Sequence, residues 1–261
     1  MMMQPLKLDV AGFNVPQGLS SHIKYALSFG LPELTPALCS HDGTFVIAGA
    51  GPSLASSLDE LREEREKGRP ICAVKAAHDF LIKNGIEPEL FMSIDPRDRR
   101  NNVLEETENT IYLLASRCAP EMFDHLKDRK VMLFHAACVE EEHQAIGKNA
   151  LLINGTSTSG LRAINVGYFM GYRKFILYGM DSCNAPDGIT KRVDGSLTGQ
   201  TIDVYVGGPT GRKFTCNMAM AEQANSFHQI WDMMPDVKLE IKGDGLLAAM
   251  LAEWKRRGQV A

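Results

Sequence analysis

The chain has 261 residues, 44% of them hydrophobic, which is enough for one large α/β domain with a substantial core. Its formal net charge of −4 provides no global basic field and argues against a nucleic-acid partner. It has no run of about 18 apolar residues and no basic start before a long apolar segment, so we expect a cytoplasmic protein without a membrane span. The six cysteines form no C-x-x-C pair, which argues against a zinc ribbon and a disulfide framework.

Residues 1–43 form an N-terminal extension of mixed character, with one predicted helix at residues 20–29. From residue 44 onward, short runs of Val, Ile, Leu and Phe alternate with helical segments, a pattern typical of parallel β-α units. We therefore predict a single α/β domain at residues 44–261 whose sheet is doubly wound and mostly parallel. The predicted strands are 44–49, 70–75, 89–95, 110–116, 130–135, 149–154, 173–179 and 237–242.

The regular pattern is interrupted at residues 182–217, which are rich in turn-forming residues. This segment contains two alternating runs, at 201–206 and 211–215, around the sequence Gly-Gly-Pro-Thr. The pattern predicts a β-hairpin inserted into the α/β domain. Because long insertions in compact domains are more often lids or binding loops than filler, we expect this one to cover the acceptor side of an active site.

The stretch FVIAGAGPSLASSL places Gly49, Gly51 and Pro52 between an apolar strand and a helical segment. The glycines permit a sharp bend, and proline suits the first turn of a helix. Free N–H groups at such a helix start, together with the helix dipole, form an anion site that often takes phosphate. The alternative is a tight structural turn, because the third glycine of the dinucleotide fingerprint is absent.

A second turn of similar chemistry occurs in NGTSTSGLRA, where Gly155 is followed by Thr156, Ser157, Thr158 and Ser159 before a predicted helix at residues 159–170. Hydroxyl and amide groups at this point favour a ligand, whereas plain N-capping is the structural alternative. In a doubly wound sheet, both turns are expected at the same edge, beyond the carboxyl ends of the strands.

Two aspartates, Asp95 and Asp181, end apolar strands that should point to the same crevice. A carboxylate there can hold ribose hydroxyls, a metal-bound phosphate or a proton in transfer, or it can simply cap the next turn. Arg97, Arg99 and Arg100 follow Asp95 and are candidates for a phosphate clamp, with a solvated loop as the alternative.

The histidines give weaker signals. His135, Cys138 and His143 are conceivable metal ligands, but their spacing fits no usual zinc pattern. His228 lies in a predicted helix and is a candidate base, with core packing as the alternative.

Three ordered segments, IAGAGPSL, ICAVKAAHDFLIKNGIEPELFMSIDP and TSTSGLRAINVGYFMGYRKFILYGMD, resemble the MptE-like family. That family includes archaeal 6-hydroxymethylpterin diphosphokinases and bacterial motility-associated glycosyltransferases. Parts of the same segments are also similar to bacterial sialyltransferases with a Rossmann-like nucleotide-binding fold. The resemblance covers residues 44–181, and a weaker resemblance occurs in the segment IKGDGLLAAML. It implies a Rossmann-like transferase.

By this resemblance, Asp95 would lie beside the nucleotide or its metal, and Asp181 would close the same pocket. The chain departs from the related sialyltransferases at Ala50, and from other relatives at Lys75, where asparagine is common. These departures argue against cytidine recognition, and Lys75 becomes a candidate phosphate contact, with a solvent-facing lysine at a strand end as the alternative. The remaining residues that the resemblance places around the nucleotide are Gly49, Gly51, Pro52, Ser53, Thr158, Ser159 and Gly160.

The leading functional hypothesis is a glycosyltransferase with a nucleotide-activated sugar donor and an acceptor that is a glycan, a protein or a pterin-like molecule. Its candidate general bases are Asp95, Asp181 and His228, in that order. The alternative is a diphosphokinase that passes pyrophosphate from ATP to a hydroxymethyl, pterin-like acceptor, with Mg²⁺ held by Asp95, with or without Asp181. A third hypothesis is a nucleotide-binding module without catalysis.

These roles predict the behaviour of two variants. Gly51→Val should abolish nucleotide binding in a protein that still folds, because a Cβ blocks the approach of phosphate and is penalised at any positive φ. Asp95→Asn should lower turnover by at least about 10²-fold with little change in stability.

Overall fold

The computed structural model describes residues 18–136, 139–156 and 158–260 of the chain. Its strands are β1 (Thr44–Ala48), β2 (Ile71–Val74), β3 (Leu90–Ser93), β4 (Ile111–Ala115), β5 (Lys130–Phe134), β6 (Lys174–Tyr178), β7 (Ile202–Val206), β8 (Arg212–Cys216) and β9 (Lys238–Ile241). Its α-helices are α1 (Leu19–Ser28), α2 (Leu58–Glu66), α3 (Ala77–Lys83), α4 (Pro120–His125), α5 (Glu140–Ile146), α6 (Ser159–Phe169), α7 (Met218–Ser226), α8 (Gln229–Met233) and α9 (Leu246–Arg256). A 3₁₀ helix occupies Pro52–Ser57. Within the described ranges, no helix combines the length and apolar character that a membrane span requires.

Seven parallel strands form the main sheet in the order β5-β4-β3-β2-β1-β6-β9. The chain runs outward from β1 to β5 and then returns through α6 to β6, on the opposite side of β1. The direction of winding therefore reverses between β1 and β6, and such a switch point opens a crevice at the carboxyl ends of the strands. This topology confirms the predicted doubly wound parallel sheet.

Both faces of the sheet are buried, which explains why its strands are continuous apolar runs rather than alternating ones. In β1, Phe45 and Ile47 face the larger core, which includes residues of α6 such as Leu161. Val46 and Ala48 face a smaller core that includes residues of α2 and α3. Alternate side chains of the same strand therefore pack on opposite faces of the sheet.

One predicted strand, at residues 149–154, is absent. Leu152 forms only an isolated bridge with His135 beyond the end of β5. The backbone that follows is held instead by the buried guanidinium of Arg162, which donates to the carbonyl oxygens of Ile153 and Gly155 at 2.6 and 2.9 Å. The Arg162 side chain therefore occupies carbonyl oxygens that would otherwise be available to the N–H groups of a neighbouring strand.

The inserted hairpin is present as the antiparallel pair β7 and β8, which forms a separate sheet. Its inner face is buried, because Val204, Phe214 and Cys216 belong to the larger core. The insertion is also tied to the loop after β1, since the Val193 N–H donates to the carbonyl oxygen of Ala50 at 3.0 Å. The hairpin is thus an integral wall of the fold.

The described part of the N-terminal extension packs on the sheet edge. Leu19, Ile23 and Ala26 of α1 are fully buried. Beyond α1, the Leu34 N–H donates to the carbonyl oxygen of Leu133 in β5, and the two atoms lie 2.8 Å apart. The segment around Leu34 therefore hydrogen-bonds to β5, the strand at this edge of the main sheet.

The chain after β1 passes directly against the chain after β6. A Cβ built on Gly49 would lie 2.7 Å from the carbonyl oxygen of Gly179, and one built on Gly51 would lie 2.6 Å from the same atom and in contact with the carboxylate of Asp181. Gly51 has an ordinary φ of −67°, so it is required for space and not for a left-handed conformation. Gly51→Val therefore clashes inside the protein, so a loss of nucleotide binding in this variant would not by itself report on a phosphate contact.

We predict that Gly51→Ala lowers the free energy of unfolding by about 1–3 kcal/mol, the usual cost of overpacking. Gly199→Ala is the matched control, because a Cβ at Gly199 meets no atom within 4 Å. The midpoints of urea denaturation measure both effects. Equal midpoints for the two variants would contradict the close approach at Gly51.

Candidate functional site

A cleft of about 270 Å³ opens at the switch point between β1 and β6, and we call it the switch-point cleft. Its walls come from the loops after β1, β2 and β6, the start of α6, the insertion and α7. The sequence-predicted site residues that line it are Gly49, Gly51, Lys75, Thr158, Ser159, Gly160 and Asp181. Further lining residues that the sequence reading missed are Lys191, Arg192, Asn217, Met220 and Gln223. The two predicted turns therefore meet at one edge of the sheet, as expected.

The amides of Gly49, Gly51 and Ser53, in the turn after β1, are already used within the protein. The Gly51 N–H donates to the carbonyl oxygen of Gly179 at 2.8 Å, and the Ser53 N–H donates to Asp181 Oδ2 at 3.0 Å. The residue between them is proline and has no N–H. The geometry thus favours the structural alternative for this turn, whose role is to hold the Asp181 carboxylate. Pro52 and Ser53 themselves line a neighbouring cleft and not this one.

The start of α6 also presents backbone amides to the cleft. Thr158 is its N-cap, and Thr158 Oγ1 accepts the Leu161 N–H at 3.4 Å. The N–H groups of Ser159 and Gly160 donate to no acceptor among the described residues. Because α6 has 11 residues, its dipole adds positive potential at this end. Ser157, which also belongs to this predicted turn, lies outside the described residues.

A short hydrogen-bond network joins the walls of the cleft. Gln223 Nε2 donates to Thr158 Oγ1 at 3.0 Å, and Ser182 Oγ donates to Gln223 Oε1 at 2.9 Å. It links α7, the start of α6 and the loop after β6. No local pattern marks Gln223 in the sequence, because only the path of the chain after the hairpin brings α7 here.

Three cationic side chains line the cleft. Lys191 and Arg192 come from the insertion, and in the described part of the chain neither forms an ion pair with a carboxylate. Lys75 follows β2 and has a left-handed backbone with φ of 54°. Ser182, across the cleft, has φ of 53°, and these two are the positive-φ residues other than glycine among the described residues. Such backbone conformations are costly and concentrate at functional sites.

Asp95 is surrounded by cations and is not among the residues that line the cleft. Its buried carboxylate accepts from Lys75 Nζ at 3.0 Å, from Arg97 Nε at 2.8 Å and from Arg99 Nε at 3.0 Å. Burial by itself raises the pKa of Asp95, but the hydrogen bonds and charges of Arg97, Lys75 and Arg99 outweigh it and hold the pKa far below its ordinary value.

This arrangement does not fit the roles predicted for Asp95. A carboxylate with a strongly lowered pKa is a poor general base, and both of its oxygens are already bonded to cations, so it offers no open position for Mg²⁺. Asp95 instead holds the ammonium group of Lys75, a residue that lines the cleft. Arg97 and Arg99 bind this carboxylate and do not line the switch-point cleft, and the phosphate clamp stays a prediction.

Asp181 has the opposite environment. Its side chain lines the cleft, the residue is only 6% exposed, and no ion pair joins it to a cation among the described residues. Burial raises the pKa of Asp181, and the hydrogen bond from the Ser53 N–H offsets only part of that effect. A buried carboxylate with a raised pKa and no cationic partner is suited to accept a proton.

His228 does not join the other candidates. It lines a separate cavity of about 140 Å³ with Glu253 and Trp254, and its Nδ1 lies 2.8 Å from the carbonyl oxygen of Asn225. This position removes it from the set of candidate bases for the switch-point cleft. The described residues contain no cluster of three or more His, Cys, Asp or Glu that could hold a metal ion, and Cys138 lies outside them.

Comparison with known proteins identifies the family. The family model described as "6-hydroxymethylpterin diphosphokinase MptE-like" matches residues 21–187. This chain belongs to the MptE-like family. The match confirms the predicted resemblance and the predicted class of enzyme, a transferase. It begins at residue 21, whereas the predicted resemblance begins at residue 44. A comparison with curated protein sequences gave no match.

Two solved structures are similar to this chain. The MAf glycosyltransferase from Magnetospirillum magneticum AMB-1 superposes with a TM-score of 0.65 at 13% identity, over 94% of this chain and 43% of that one. A mammalian sialyltransferase in complex with Gal-beta-1-3GalNAc-ortho-nitrophenol gives a TM-score of 0.46 at 9% identity, over 87% and 80% of the two chains. The first similarity confirms the Rossmann-like fold, and this chain spans less than half of that glycosyltransferase.

The charge environment of Asp95 makes a prediction about stability. The ion pairs of Asp95 replace the expectation that Asp95→Asn changes stability little. This variant should lower the free energy of unfolding at pH 7 by at least about 2 kcal/mol, because it leaves partly buried Lys75 without its counter-ion. Because the folded-state pKa of Asp95 is lowered, the stabilisation exists above the ordinary carboxyl pKa of about 3.9 and is lost as the pH falls below it. The difference between wild type and variant should therefore shrink in acid.

Urea denaturation at pH 7 and at pH 3 checks this prediction. Asp98→Asn is the control, because Asp98 forms an exposed pair with Arg100 and such pairs contribute little. If Asp95→Asn were as stable as Asp98→Asn at pH 7, the cation cluster would not support the fold.

Proposed function

We propose that this protein is a glycosyltransferase that binds a nucleotide-activated sugar in the switch-point cleft and transfers the glycosyl group to an acceptor hydroxyl. The observation that carries the proposal is the composition of the cleft. It combines three cationic side chains and two unbonded helix amides with one buried carboxylate that has no cationic partner.

The cationic part of the cleft is suited to the phosphates of the donor. The Ser159 and Gly160 amides point out of the start of α6, and such amides are common phosphate ligands. Arg192 adds a positive charge from the insertion, and Lys75, which is paired with Asp95, adds an ammonium group from the loop after β2. Asp95 keeps Lys75 in place, so a residue that does not touch the donor contributes to its binding.

The same charges support the bond-breaking step. In glycosyl transfer, the bond between the anomeric carbon and the phosphate oxygen breaks, and its electron pair leaves with the nucleotide phosphate. Lys75, Lys191, Arg192 and the α6 amides stabilise the negative charge that develops there. The acceptor oxygen forms the new bond to the anomeric carbon, and its proton passes to the carboxylate of Asp181.

The alternative function is that of a diphosphokinase, which the family description favours. Such an enzyme uses Mg²⁺ to bridge the phosphates of ATP and to neutralise their charge. Asp181 is the one carboxylate that lines the switch-point cleft in the described part of the chain, and it would have to serve as the protein ligand. The surplus of protein cations in the cleft is better suited to a donor whose phosphates the protein itself neutralises.

A ligand screen separates these functions. We expect nucleotide sugars to raise the melting temperature without Mg²⁺, because a ligand that binds the native state stabilises it by mass action. A diphosphokinase would be stabilised by ATP only with Mg²⁺ and would release AMP in a reaction that a chelator abolishes. Binding without turnover of any donor would instead support the non-catalytic module.

The phosphate site is tested with inorganic pyrophosphate, which shares its chemistry with every nucleoside diphosphate donor. We predict that Lys191→Ala and Arg192→Ala each raise the dissociation constant for pyrophosphate at least about tenfold, the usual scale for a charged hydrogen bond. Lys24→Ala, on the exposed face of α1, should leave it unchanged. Calorimetric titrations that gave equal constants for all three variants would contradict the proposed phosphate site.

The base is tested with Asp181→Asn, which keeps the acceptor for the Ser53 N–H. We predict that kcat falls about 10²-fold while the dissociation constant for pyrophosphate changes less than about twofold. Because burial raises the pKa of Asp181, the wild-type kcat/KM should decline in acid with an apparent pKa above the ordinary carboxyl value. This acid limb should be absent from the residual activity of the variant, and its persistence would assign the base elsewhere.

A further inference from the structure

A second cleft, of about 550 Å³, lies next to the switch-point cleft, and the two share Asp181 and Cys183 in their walls. The second cleft is bounded by Pro52, Asn184 and Pro186 among others. Its volume lies in the range of small-molecule sites. Because the carboxylate that we propose as the base lines both clefts, a molecule in either one has access to it.

The second cleft contains a buried polar atom that has no hydrogen-bond partner among the described residues. Asn184 is 7% exposed, its N–H donates to the carbonyl oxygen of Thr215, and its Nδ2 donates to the carbonyl oxygen of Gly188 at 2.8 Å. Its Oδ1 is buried and accepts no hydrogen bond from any described residue. Buried polar atoms are rarely left unsatisfied, and an amide oxygen at a cleft wall is an acceptor for a hydroxyl or N–H of a ligand.

The cations of the second cleft are neutralised by the protein. Arg212 donates to the carboxylate and, at 2.7 Å, to the carbonyl oxygen of Asp244. Lys213 Nζ lies 2.9 Å from Asp203 Oδ2. The switch-point cleft, in contrast, presents Lys191 and Arg192 without such pairs among the described residues. The two clefts therefore differ in charge, with a cationic site on one side of the shared wall and a neutral polar site on the other.

We propose that the second cleft is the acceptor site of the transferase and takes a neutral saccharide, whose hydroxyl reaches the carboxylate of Asp181 and whose ring hydroxyls include the donor to Asn184 Oδ1. The proposal rests on the proposed function. Pro52, Pro186 and Phe214 supply apolar surface, which suits the C–H face of a sugar ring. The absence of an unpaired cation in the described lining disfavours an acidic sugar.

Pyrophosphate-loaded protein tests the proposal with three kinds of probe, namely a panel of neutral methyl glycosides, methyl glucuronide and a short peptide containing serine and threonine. Ligand-observed NMR titration measures the dissociation constants. We expect at least one neutral glycoside to bind more tightly than the glucuronide and the peptide. Asn184→Ala should raise its dissociation constant about fivefold, the scale of one hydrogen bond.

Pro186→Trp provides a second variant, which fills the cleft from an exposed position and should abolish glycoside binding. Ile189→Trp is its matched control, because Ile189 is 51% exposed and does not line the cleft. Melting temperatures verify that each variant is folded, and all of them should bind pyrophosphate as the wild type does.

The failures of the two proposals are distinguishable. If the wild-type protein does not bind pyrophosphate, the proposed function is contradicted, whether or not a glycoside binds. If pyrophosphate binds but no neutral glycoside does, or if Pro186→Trp leaves glycoside binding intact, the acceptor assignment is wrong. Tighter binding of the peptide or the glucuronide would overturn the assignment to a neutral saccharide.

Discussion

The close approach of the chain after β1 to the chain after β6 is the constraint on which the site depends. Gly49 and Gly51 permit this contact because a side chain at either position would meet the backbone of Gly179. The contact in turn brings the Ser53 amide to the Asp181 carboxylate. A turn with the composition of a phosphate loop thus orients a carboxylate, and the amides that we propose for phosphate binding lie at the start of α6.

The two aspartates illustrate how environment separates residues of the same type at similar places in a sheet. Each follows a parallel strand, and each is buried. Asp95 is bonded to three cations, so its pKa falls and its charge contributes to stability. Asp181 has one backbone donor in place of cations, so its pKa rises and its proton affinity becomes available for chemistry. In the proposed mechanism, the first aspartate organises the donor site and the second acts on the acceptor.

The MptE-like family and the Rossmann-like fold establish a transferase framework, but they leave the reaction open, because one fold supports many chemistries. The distribution of charge supplies the argument for glycosyl transfer. Lys191 and Arg192 line the switch-point cleft without an ion pair among the described residues, whereas Arg212 and Lys213 of the neighbouring cleft are paired with carboxylates. A donor rich in phosphate and a neutral acceptor would match that division across the shared wall at Asp181.

The sequence by itself determined the α/β class, the parallel strands, the inserted hairpin and the meeting of two glycine- and hydroxyl-rich turns at one sheet edge. Strand periodicity and turn chemistry are local properties, so they are visible in the chain. It failed at residues 149–154, where Arg162 takes carbonyls that local hydrophobicity assigned to a strand. It also ranked Asp95 above Asp181 and included His228. Only the tertiary structure decided the environments of these residues, because the pKa of a carboxylate depends on which charges surround it, and Lys75 and Gln223 reach the site from distant segments. Burial and charge pairing are properties of the folded chain, and they separate the acid that stabilises from the acid that is suited to catalysis.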